Sequence, residues 1–315
     1  MPTWPRSGCT TTSSSPINAS ARSWAALSPP CAPRRRPRIA QAPARTIARL
    51  NRELRRAALE ALLAVEPDEK LAAVTSLARV ASEPDPSLEL AEPPGVPGRP
   101  DRPVLVAPGA VASRAVATDE GRAALLHALA HIEFNAVNLA LDAVWRFPAM
   151  PRAYYFDWLR VAAEEVLHFR LLCERLATLD RVYGDFPAHD GLWEMARKTA
   201  GDVLARMALV PRTLEARGLD ASPQVRAKFA AAGDVASAAV VDVILRDEID
   251  HVAIGNRWFA FLCGERGVPV GATYERLCRE HAAPRLRGPL NLAARRAAGF
   301  SEEELAAMAR IRLES

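Results

Sequence analysis

A glutamate followed three positions later by a histidine occurs twice in this chain, as Glu165-Val166-Leu167-His168 and as Glu248-Ile249-Asp250-His251. Residues three apart on a helix share a face, so each motif, if helical, aims a carboxylate and an imidazole the same way. Around the first motif, Trp158, Val161, Ala162, Phe169, Leu172 and Leu176 fall on that face, which makes it the side to be buried. The neighbouring Glu164 shares its face with Asp157 and Arg160 and is read as facing solvent. A third acid, Glu133, is surrounded at helical spacing by Leu126, Ala130, Val137, Ala140 and Val144, so it too points inward. Carboxylates gathered in a dry interior without a basic partner either change protonation state or coordinate a metal.

A fourth helix must complete such a cluster, and Glu194, Asp202 and Glu215 are the acids available to it. Glu133 precedes Glu165 by 32 positions and Glu215 precedes Glu248 by 33. Measured from the turns expected at Ala149 and Gly233, both pairs sit at nearly equal depth in an antiparallel hairpin. Asp202 lies roughly 20 Å too deep at a rise of about 1.5 Å per residue. This reading needs the third helix to resume after an interruption at 218–223. If Gly218 ends the helix, Asp202 takes the place of Glu215. Four Glu and two His are the donor set of two iron ions, or of manganese or a mixed pair, with coordination positions left open for a small oxidant such as O2 or peroxide.

The elements that position these residues are helices. Thr118 is an N-cap followed by two acids, and the helix it starts runs to about Phe147. Pro148 and Pro151 bracket a turn, and a second helix spans about 152–179. The third starts near Asp190, breaks at 218–223 and resumes to Ala232. Gly233 and Asp234 pair a C-cap with an N-cap before a fourth helix over about 235–265. A capping box at Ser301 and Glu304 introduces a last helix. Upstream, 46–82 reads as two helices, with Ile47, Leu50, Leu54, Ala58 and Leu62 on one face of the first, and 83–117 as a proline-rich segment wrapping over the helices downstream of it. The class expected is all-α: an antiparallel four-helix bundle over 118–265, helical extensions on both sides, and a helical tail over 266–315.

Residues 1–45 are rich in Ser, Thr, Pro and Arg and read as a disordered leader, attributed to an overextended start in a GC-rich gene rather than to an organellar transit peptide. The first 50 residues carry eight Arg and no acid, leaving 33 basic against 37 acidic residues in the remainder. The bulk is therefore mildly acidic and argues against a nucleic-acid partner. No uninterrupted apolar run reaches eighteen residues, so no membrane span is expected. Five scattered Cys without a Cys-x-x-Cys suit a reducing cytoplasm.

The chain resembles the ferritin-like superfamily over roughly 118–265. More closely, it resembles the bacterial family known as domain of unknown function 455, through His131-Ile132-Glu133-Phe134-Asn135, Leu214-Glu215-Ala216-Arg217-Gly218-Leu219-Asp220 and the run from Arg246 to Gly255. The Glu-Ala-Arg run is also similar to one in tRNA-hydroxylating di-iron monooxygenases. The resemblance implies Glu133, Glu165, His168, Glu215, Glu248 and His251 as metal ligands, and it implies the fold and the metal more strongly than a reaction; the oxidoreductase using O2 or peroxide is read from the donor set. A tRNA hydroxylase or a non-catalytic metal-binding or stress protein are the other classes it admits. Around this set, His131, Arg212 and Asp250 are candidates to support the ligands, and Trp158, two turns from Glu165, is a candidate pocket wall. Asp247 and Asp250 flank the second motif; either could orient a ligand imidazole across the bundle, but an exposed position is the preferred reading for both.

Overall fold

The computed structural model describes residues 53–313 except 81, 113, 285 and 287, with side chains as far as Met308. The leader and the positions Ile47 and Leu50 lie outside the described residues. Among those described the chain is helical. Helices α1 (Leu54–Leu63) and α2 (Pro67–Arg79) precede four long stretches: α3 (Asp119–Arg146), α4 (Arg152–Ala177), a composite third stretch, and α8 (Val235–Glu265). The tail holds α9 (Val270–Glu280), α10 (Leu292–Ala297) and α11 (Glu302–Leu313).

The ends of the long helices follow local chemistry. Thr118 Oγ1 accepts the amide of Gly121 at 3.0 Å and starts α3. Gly233 takes φ +75°, and Asp234 Oδ1 accepts the Ser237 amide at 3.0 Å to start α8. In the tail, Ser301 and Glu304 exchange backbone-to-side-chain bonds of 2.9 and 3.2 Å, the reciprocal box expected from the sequence. Helix α3 packs along α4, α8 packs against α4, and α1 and α2 cover α3 and α4. Leu126, Val137, Trp145, Tyr154 and Leu172 meet in the core between them. By length and composition α3 is apolar enough to cross a membrane, yet 72% of its most apolar window is buried against these neighbours. The other helices thus account for its hydrophobicity.

The third stretch differs from its sequence reading. It consists of α5 (Gly191–Lys198), α6 (Val203–Leu209), a π-helical turn (Val210–Glu215) and α7 (Ala216–Ala231). The break falls at 199–202, where Asp202 caps α6, and α7 runs without interruption through Gly218 and Pro223. A proline inside a helix leaves the carbonyl four residues back without its N–H. Here that carbonyl, of Leu219, accepts instead from Asn291 Nδ2 at 3.2 Å, a donor from the tail. The same Asn291 donates its backbone N–H to Asp220, whose carboxylate is paired with buried Arg295 at 2.6 Å.

The proline-rich segment is tied down by cations from α1 and α2. Fully buried Arg55 donates to the carbonyls of Asp85, Leu88 and Trp145. Lys70 Nζ reaches Leu62 O and Gly98 O, each at 2.9 Å, and Asn138 Oδ1 at 2.6 Å. Burial lowers its ammonium to about 7. Gly98 sits against the end of α1 so closely that a Cβ would come 2.2 Å from Leu63 O, a backbone atom that cannot swing aside. Gly98→Ala is accordingly expected to lower the unfolding free energy by roughly 1–3 kcal/mol through overpacking, read as a lower urea midpoint at unchanged m. An unchanged midpoint would show that the segment does not press on α1.

Candidate metal centre

Helix α4 carries Glu165 and His168 and α8 carries Glu248 and His251, while α3 brings Glu133 and the π turn ends on Glu215. In such a turn the backbone takes an extra residue and rotates the helix beyond it, a feature frequent at functional sites. It is held by Pro211, which packs within 2.4 Å of where a Cβ on Gly255 would stand, so α8 needs a glycine there to approach.

Glu133, Glu165, His168 and Glu248 each offer a ligand atom within 4.8 Å of the others. His168 Nδ1 lies 3.1 Å from Glu165 Oε2 and 3.6 Å from Glu133 Oε2. His251 joins through its own Nδ1, 2.9 Å from Glu165 Oε1 and 3.8 Å from Glu248 Oε1. The two imidazole centroids are 5.8 Å apart. Glu215 borders this group: burial, then the charges of Glu248 and Glu165, push its carboxyl up to about 8. The residue as a whole is half-buried, but its Oε2 is buried.

The six side chains are poorly satisfied by one another. Glu133 Oε2, Glu215 Oε2 and Glu248 Oε2 are buried without a hydrogen-bond partner, and Glu165 Oε1 and His251 Nδ1, though 2.9 Å apart, are not aligned as a hydrogen bond. No Lys or Arg among the described residues forms an ion pair with any of the six carboxylates and imidazoles. Burial, reinforced by Glu165, raises Glu133 and Glu248 above the usual carboxylate range. Burial also opposes charge on the imidazoles, yet their carboxylate neighbours prevail, taking His168 up to about 11 and His251 well above its ordinary value. Glu165, between the two rings, is held low against its own burial cost. Protons thus provide the compensation that a cation would otherwise supply.

The outer nitrogens of the two rings are fixed by carboxylates exchanged between helices. His168 Nε2 meets Asp247 of α8 at 3.1 Å, and His251 Nε2 meets Glu164 of α4 at 2.7 Å. An Nε2–H given to these acids leaves the Nδ1 lone pair facing the cluster, the tautomer that a metal ligand needs. The solvent-facing reading of Glu164 and Asp247 is corrected here. The signal was present, since an acid immediately precedes each Glu-x-x-His and serves the histidine of the other helix.

The remaining candidates lie elsewhere. Asp250 is exposed and approaches Arg160 at 4.0 Å rather than a ligand imidazole. His131 is buried but bonds Tyr183 and Asn135 on the far side of α3. Arg212 points at Asn256 and Glu304 and stacks near Phe300, tying the tail to the π turn. Trp158 is buried against Tyr154 and does not line the cavity beside the cluster. Asp202 pairs with Arg266 at 2.7 Å at the start of α6, away from the cluster, and Glu194 is exposed on α5.

That cavity, of about 490 Å3, has Glu133, Glu215 and Glu248 in its wall. Its size falls among small-molecule sites, roughly 300–1,000 Å3.

The model of a family described as "Protein of unknown function (DUF455)" matches residues 63–306. An uncharacterized protein of Haemophilus influenzae is 51% identical over 213 residues, covering 65% of this chain and 74% of that relative. No solved structure matches the chain.

Proposed function

Since the chain belongs to the DUF455 family, whose description assigns no activity, we propose a function from the site: a ferritin-like di-metal carboxylate protein, with iron, manganese or a mixed pair, that acts as an oxidoreductase on O2 or peroxide. The observation that carries this reading is the set of orphaned carboxylate oxygens that converge from α3, α4, α8 and the π turn on two imidazoles. One Glu from each of two helices and Glu-x-x-His from each of the other two is the donor set of such centres.

Glu133, Glu165, His168, Glu215, Glu248 and His251 would hold the metals, which supply electrons to the oxidant when bound. Asp247 and Glu164 keep both imidazole lone pairs inward and hold the Nε2 protons. Leu214, Val241 and Ile244 give the cavity beside the cluster an apolar lining, and the cavity would admit a small oxidant and a second reactant.

Elemental analysis of the purified full chain, with ferrous titration under anaerobic conditions, tests the reading. Two irons per chain and a change in the optical spectrum on admitting oxygen are expected. Stripping the metal is expected to lower Tm on the order of 5–10 °C, as for loss of a ligand held at about a hundred times its Kd. Protein that purifies without transition metal and takes up no ferrous iron would overturn it in favour of a metal-free bundle.

A further inference from the structure

The cavity beside the cluster has two unlike ends. At one stand Glu133, Glu215 and Glu248. The other is reached along α7, where Arg217, Gln224 and Lys228 fall on one stripe at i, i+7 and i+11 and all line the cavity. Lys228 is thirteen residues beyond Glu215, about 20 Å of helical rise. Leu129 and Ile132 from α3 and Val241 and Ile244 from α8 give the walls their aliphatic surface, beside which the polar Asp220, Ser222 and His189 also line the cavity. Among the described residues no phenyl, phenol or indole ring lines it, and the only ring in its wall is the His189 imidazole.

The cations are also uncommitted. Neighbouring Arg226 is paired with Asp242, Arg175 with Asp234 and Arg295 with Asp220. Arg217 and Lys228 have no ion-pair or hydrogen-bond partner among the described residues; Arg217 lies two positions from Glu215, and Lys228 borders the end away from the three acids. An exposed cation at the end of an aliphatic groove recognises an anionic head, and the groove accepts the chain attached to it.

We propose that this cavity binds an amphipathic aliphatic anion of the acyl-carboxylate type. Its head rests on Lys228 and Gln224, and its chain runs toward Glu133, Glu215 and Glu248. That this molecule is the substrate rests on the metal-centre reading above; its binding does not.

The test titrates dodecanoate, dodecanol and dodecyltrimethylammonium, by calorimetry, into the metal-free full-length protein. Dodecanoate is expected to bind at least about tenfold more tightly than either of the others, and Lys228→Gln to remove most of that preference while leaving dodecanol unchanged. Gly218 lines the cavity and a Cβ there would meet nothing within 4 Å, so Gly218→Phe starts its side chain in open space. This variant should abolish binding of both dodecanoate and dodecanol, with helix content by circular dichroism unchanged. Equal binding of the three heads, no binding of dodecanoate, or a preference that survives Lys228→Gln would overturn the proposal. Ferrous uptake, measured separately on the same preparations, separates the two readings. Dodecanoate binding without metal uptake sinks the metal centre alone, and metal uptake without dodecanoate binding sinks the acyl site alone.

Discussion

Replacing Glu215 by alanine is expected to cost the chain at least one of its two ions, whereas Asp202→Ala is expected to keep both. The reason is positional: Glu215 ends the π turn with a buried, unpartnered oxygen beside Glu248, while Asp202 is occupied with the α6 amide and Arg266. The sign of the stability change separates loss of a ligand from loss of the fold. In metal-free protein, burial and the neighbouring Glu248 already push the Glu215 carboxyl up to about 8, so its removal should leave Tm equal or higher. In protein given ferrous iron, the variant should lose most of the rise in Tm seen in the parent. Iron per chain by elemental analysis, together with paired melting curves with and without metal, reads both. Full iron in Glu215→Ala alongside a deficit in Asp202→Ala would reverse the third-helix assignment.

The largest expected effect on stability lies away from the cluster, at Asp142. This carboxylate is fully buried on α3 and accepts from Arg206, from Arg146 at 2.9 and 3.0 Å, and from Trp145 Nε1 at 3.0 Å. Arg206, itself buried on α6, has only neutral acceptors besides, Thr199 Oγ1 and the Ala196 carbonyl. Asp142→Ala would strand a guanidinium in the interior, and breaking such a pair costs roughly 3–5 kcal/mol. Denaturant unfolding of the metal-free protein measures it. Asp142→Ala combined with Arg206→Met should recover part of the loss, because a well-packed apolar pair can replace a buried ion pair. A single-variant loss below about 1 kcal/mol would mean that water reaches the site and the charge is not desolvated. The pair also sets geometry. It holds α6 against α3 just ahead of the π turn, and so fixes the level at which Glu215 stands opposite Glu133.

What could be read from the residues was whatever depends on neighbours in sequence. Thr118, the Gly233-Asp234 pair and the Ser301–Glu304 box act within a few positions, so the helix ends they mark emerge where capping chemistry puts them. The inward face of Glu165 and His168 was equally legible, because apolar periodicity over a long helix is strong. The misplaced break in the third stretch arose from long range. Gly218 and Pro223 look like a terminus until Asn291, some seventy positions later, supplies the missing donor. Glu164 and Asp247 were misassigned for another reason. They stand at the seam between α4 and α8, where an acid is partly wet and still reaches an imidazole across the gap, at 31% and 17% side-chain exposure. A helical wheel separates inside from outside but does not resolve that border. Arg212 was displaced from its expected role by the π turn, whose additional residue shifts the register between it and Glu215.

The amide that Asn291 lends to Leu219 makes α7 depend on the tail. Until Asn291 is in place, the Leu219 carbonyl four residues before Pro223 has only water to donate to it. The wall of the cavity on that side is thus finished by a residue some seventy positions downstream, and a chain ending before Asn291 would lack that clasp.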